Sequence, residues 1–127
     1  MEKFILIFAW SWIAIGLTSG TIIGLKFANP DWLGGYGSWQ RRMIRLGHIA
    51  FLGTALLNIA MVLTAIQIEL SPVPKVAAIL LLIGAISMPT VCFLSAWHKP
   101  LRHLFFIPVI GLLGGAIDFV VQLLSAM

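Results

Sequence analysis

Residues 41–68 read RRMIRLGHIAFLGTALLNIAMVLTAIQI: three arginines and a histidine in the first eight positions, then an uncharged run from Ile49 to Ile68. A helix needs about 20 predominantly apolar residues to cross the hydrocarbon core of a bilayer. This stretch meets that requirement and begins on a basic collar, the pattern of a span leaving a positively charged membrane face. Three further apolar stretches resemble it, and the four spans are placed at about 4–25, 44–68, 75–97 and 103–126. The reading is an all-α integral membrane protein, a four-transmembrane-helix antiparallel bundle formed by a single membrane domain, 1–127.

Composition agrees. The chain is 61% hydrophobic and 9% charged, with mean hydropathy +1.07, whereas soluble domains carry roughly 25% charged residues. Little sequence lies outside the spans, so any chemistry is expected inside the membrane or in the short connections. The first apolar stretch runs past Leu17 to Leu25, longer than the usual 7–15-residue core of a cleaved leader. It is read as a retained span.

The loops set the orientation. Lys26, Arg41, Arg42, Arg45, Lys99 and Arg102 fall in the 26–45 and 98–103 connections, together with His48, His98 and His103 close by. The opposite side carries only Lys3 and Lys75. By the positive-inside rule the first side is cytoplasmic and both termini lie outside, in a bacterial-type inner membrane. A net charge of +4 placed this way answers anionic headgroups rather than nucleic acid. The single Cys92 excludes an intramolecular disulfide and a dithiol redox pair.

Small residues recur at helical spacing. Gly16, Gly20 and Gly24 share one face of the first span, and Gly111 and Gly115 one face of the fourth. Such faces allow close helix approach, which lipid-embedded helices need because apolar burial gives them no net drive to associate. Gly47, Ala50, Thr54, Asn58 and Met61 form a comparable stripe in the second span. Ala77, Gly84, Ser87, Val91 and Ser95 do so in the third. Partners are therefore expected within the bundle, in self-association, or in a larger membrane complex.

Two groups of residues carry possible chemistry. Asp118 is the one acid well inside a span and lies on the small-residue face of the fourth. An ionised carboxylate there costs several kcal/mol, so such a group pairs, protonates or serves a pathway. Asn58 is expected at similar depth, with Gln122 one turn from Asp118. An Asp118–Asn58 hydrogen bond is the structural expectation, and a proton- or cation-coupled site in a small homo-oligomeric transporter or channel is the functional one. The second group is His48, His98 and His103 with Arg41 and Arg45. Imidazoles from two helices could hold a haem b iron axially, with arginines meeting the propionates. His48 is turned about 100° from Gly47, which argues against that arrangement. The residues present no recognisable catalytic set and no metal site. The leading functional expectation is a non-enzymatic accessory or assembly subunit of a membrane complex. Redox or haem-binding use of His48 and His98, and transport through Asp118, are the alternatives.

Overall fold

A computed structural model describes residues 1–127. It contains four α-helices: α1 (Glu2–Lys26), α2 (Trp39–Gln67), α3 (Lys75–Trp97) and α4 (Phe106–Ala126). Short 3-10 segments at Trp32–Gly34 and Lys99–Phe105 precede α2 and α4. All four helices are long and apolar enough to cross a membrane, the last together with its 3-10 lead-in.

Two helix starts differ from the sequence reading. α2 begins at Trp39 rather than 44 because Ser38 caps it, its hydroxyl oxygen accepting the Arg41 backbone N–H at 3.2 Å. The basic collar is thus the first turns of the helix itself. α4 begins at Phe106 rather than 103, since the segment from Lys99 keeps the tighter 3-10 winding. Pro108 falls in its first turn, where a missing N–H costs no intrahelical bond.

The helices pack in chain order, α1 against α2, α2 against α3 and α3 against α4, with no extensive contact between α1 and α4. The ring expected of a symmetric bundle is therefore open. α2 and α3 form the central pair, and α1 and α4 flank it. Each flank helix buries only three residues: Ile5, Ala9 and Gly16 in α1, and Pro108, Gly111 and Gly115 in α4. The α2 stripe from Gly47 to Met61 is buried throughout. α3 buries two faces, since it has a neighbour on both sides. Of the expected stripe, Ala77, Gly84, Val91 and Ser95 are buried and Ser87 is half-buried, whereas Ala78, Leu81, Ala85, Cys92 and Ala96 make a second buried row.

Glycine permits the closest contact. A Cβ on Gly111 would stand 2.9 Å from the Leu80 carbonyl oxygen and 3.0 Å from the Gly84 nitrogen, so α3 and α4 meet backbone to backbone. Gly115 lies over Leu81 in the same way. On α1, Gly16 admits Phe51 and Leu52 of α2, while Gly24 faces open space. Both glycine faces thus serve internal contacts, except at Gly24.

Pro89 decides how α3 is held. Proline has no N–H, so the carbonyl four residues earlier, that of Ala85, loses its intrahelical donor. In hydrocarbon an unsatisfied carbonyl costs several kcal/mol. Trp12 of α1 supplies the missing bond, its indole Nε1–H donating to the Ala85 oxygen at 3.0 Å. Ser95 lies in the last turn of α3, where carbonyls also lack partners. There Trp39 of α2 donates its indole N–H to the Ser95 oxygen at 2.7 Å. At the opposite end, the Glu2 carboxylate accepts the Val73 N–H at 3.2 Å just before α3 begins.

Replacing Trp12 by Phe should lower stability by about 1 kcal/mol in detergent unfolding. In a Pro89→Ala background, where residue 89 again donates to Ala85, the same replacement should cost measurably less. A double-mutant cycle on unfolding midpoints checks the difference, and equal costs in both backgrounds would contradict the assignment.

Candidate functional site

The basic end of the bundle is built around Arg41. Residues 27–38 fold back over the start of α2, turning through consecutive left-handed conformations at Leu33 (φ 53°), Gly34 (φ 83°) and Gly35 (φ 95°). Glycine carries two of these without steric cost; Leu33 is the uncommon one. The fold-back surrounds Arg41 with aromatic rings. Its guanidinium carbon is 4.5 Å from the Phe27 ring centre and 5.7 Å from those of Trp32 and Tyr36. Nη1 donates to the Pro30 carbonyl at 3.0 Å, Nε has no partner, and the residue is 2% exposed. No carboxylate pairs with it. Arg41 is thus a buried cation held by ring faces and a carbonyl, and it is turned away from headgroups or propionates. Arg45 sits over Tyr36 at 4.2 Å and is half-buried.

The histidines are not gathered. His48 lies half-buried between α2 and α1, where Gly20 leaves room for its ring: a Cβ on Gly20 would stand 2.9 Å from Nε2. Ser19 Oγ is 3.4 Å from His48 Nδ1 and also donates to the Gly16 carbonyl at 2.9 Å. Gly20, read as part of a helix-packing face, thus receives an imidazole and not a helix backbone. His98 is exposed at the C-terminal cap of α3, and His103 is exposed in the 3-10 turn. Trp39, which reaches the last turn of α3, lies nine residues before His48, about 13 Å of helical rise. His48 and His98 therefore occupy different depths and faces, which removes the geometric basis for a shared axial pair. No three of the His, Cys, Asp and Glu side chains gather as a metal ion would require.

The Asp118–Asn58 hydrogen bond is absent. Asn58 is fully buried, but its amide donates at 2.9 Å to the Thr54 carbonyl of its own helix, leaving Oδ1 without a partner. Asp118 is half-buried, and its Oδ2 is buried and likewise unpartnered. The cause lies in the packing order: α4 rests on α3 and approaches α2 only across an apolar groove that includes Met61, Thr64, Leu81 and Phe119. Gln122 is half-buried one turn further on. Other hydroxyls in the helices also turn to their own backbone, among them Thr54 to Ala50, Ser87 to Ile83 and Thr90 to Ile86. The hydroxyls of Thr54, Ser87 and Thr90 thus satisfy themselves locally, whereas Asn58 Oδ1, Ser95 Oγ and Asp118 Oδ2 find no partner, and α3 is joined to α1 and α2 by close packing and the two indole bonds.

Sequence reasoning missed the Arg41 cage, although Phe27, Trp32 and Tyr36 ahead of an arginine pair were the visible signal. Comparison with protein-family models, curated proteins and solved structures finds no match.

Arg41→Lys keeps the charge but loses the planar group that stacks on three rings. Hydrogen exchange in residues 27–38 should quicken several-fold in this variant while α3 and α4 keep their protection. Unchanged exchange across 27–38 would show that the rings hold the segment without the guanidinium.

Proposed function

We propose that the chain is an integral membrane protein of four spans acting as a non-enzymatic accessory or assembly subunit of a larger membrane complex. One observation carries this reading: the flank helix α4 buries only three residues, yet holds Asp118, a half-buried carboxylate with no hydrogen-bond or ion-pair partner in its own chain. In hydrocarbon an intramembrane carboxylate is costly unless something pairs with it. A donor from a neighbouring subunit would supply that pairing, and the exposed apolar faces of α1 and α4 supply the area to bring it close. The basic end then faces the cytoplasm of a bacterial-type inner membrane, with both termini outside.

The same carboxylate supports a second reading, a homo-oligomeric transporter or channel with Asp118 in its pathway. The two separate on substitution. For a subunit contact, Asp118→Leu should shift the chain to smaller assemblies on native electrophoresis of mild-detergent extracts, and Asp118→Asn, which keeps an amide for pairing, should shift it less. Neither should alter proton or cation flux in vesicles of the purified chain. Flux that Asp118→Asn abolishes would favour transport instead, and a monomer in every extract would contradict both.

Orientation has its own test. In a Cys92→Ala background, Ser71→Cys should react with an impermeant maleimide added outside intact cells. Gly37→Cys, at a position with open space around it, should react only after permeabilisation. The reverse pattern would invert the topology.

A further inference from the structure

The turn between α3 and α4 forms an open cleft of about 240 Å³ lined by Lys99, Pro100, Arg102 and His103. All four are exposed, and none of the chain's acids lines the cleft. Asp31, the one acid at this end of the bundle, pairs with no cation. The charges of Lys99 and Arg102 are therefore uncompensated, in contrast to Arg41, which is enclosed, and Arg45, which lies on Tyr36. Lys99 Nζ stands 5.2 Å from the Trp39 ring centre, and that ring is itself fixed by its bond to Ser95. The ammonium is thus held beside the cleft, while its hydrogen-bond donors stay available.

We infer that this cleft binds the phosphate of an anionic phospholipid, with Lys99 and Arg102 as the principal contacts and His103 at the rim. The surroundings favour a lipid over a free anion. Leu94 and Trp97 just before the turn, and Phe106 and Ile107 just after it, are exposed apolar residues on the two helices that leave the cleft. A headgroup seated among the cations would lay its acyl chains along these residues. Tryptophan at this depth suits the headgroup zone. The inference rests on the membrane placement proposed above and is independent of the accessory role.

The test uses the full chain in detergent micelles, with native mass spectrometry counting retained phosphatidylglycerol against phosphatidylcholine. Wild type should retain phosphatidylglycerol preferentially. The double substitution Lys99→Gln/Arg102→Gln should lower that retention at least about tenfold, as the loss of two cations at a charged surface implies. Lys99→Arg/Arg102→Lys should restore it. Arg42→Gln, which removes an exposed cation at the same end but outside the cleft, should leave it nearly unchanged.

Equal retention by wild type and the double-glutamine variant would overturn the site, as would an equal loss in Arg42→Gln, which would show a diffuse field and no cleft. Displacement of the lipid by inorganic phosphate, or matching affinity for a polyglutamate peptide, would overturn the choice of ligand. Flotation of the chain with vesicles reports on membrane insertion separately. A chain that floats but shows no preference for phosphatidylglycerol refutes the site alone, and one that fails to float refutes the placement beneath it.

Discussion

Pro89 leaves a carbonyl without a donor inside the apolar helix α3, and that group must be satisfied from outside α3. Trp12 of α1 meets the requirement at the Ala85 oxygen, and Trp39 of α2 meets the equivalent one at Ser95 near the helix end. Each indole also fixes a crossing point. Trp12 stacks on Phe8 of its own helix and meets the edge of Phe51 of α2. The donor that satisfies α3 is therefore wedged between α1 and α2. Trp39 lies at the start of α2 and ties it to the last turn of α3. Two directional bonds thereby set the register of three helices that dispersion contacts alone would leave free to slide.

The order of packing follows. With α3 bonded to donors on one side and backbone-close to α4 at Gly84 and Gly111 on the other, it becomes the centre of the molecule. α1 and α4 become its flanks. The polar groups then separate by position. Asn58 is enclosed and bonds to its own helix, Arg41 is enclosed by aromatic rings at the basic end, and Asp118 remains on a flank with an oxygen unmatched. The enclosed groups serve the fold, and the half-buried Asp118 carboxylate and the exposed cations are where contacts beyond the chain become attractive.

Much of the architecture was legible because hydropathy and spacing act locally. The uncharged run after His48 marks α2, and the three- and four-residue recurrence from Gly47 to Met61 marks its buried side. The start of α2 was read five residues late, since the Ser38 cap precedes a charged turn that looks like loop. The candidate site was less legible. His48 and His98 share a membrane side in the sequence, but only the packing of α1 on α2 shows that Gly20 receives one imidazole while the other lies at a helix end. Asp118 and Asn58 match in depth by counting, yet depth does not reveal which helices are neighbours. Pro89 announced a free carbonyl at Ala85; its donor, 73 residues earlier in the chain, could be found only from the fold.

The most direct test of this account is the indole N–H spectrum of the detergent-solubilised protein, with its five tryptophans assigned by single Trp→Phe substitutions. The Trp12 and Trp39 resonances should lie downfield of Trp10, Trp32 and Trp97, as hydrogen-bonded protons do, and the Trp12 signal should move upfield in Pro89→Ala as the Ala85 carbonyl is shared with a new donor. A Trp12 proton that coincides with the exposed Trp10 and ignores residue 89 would show that α3 is not held by this bond.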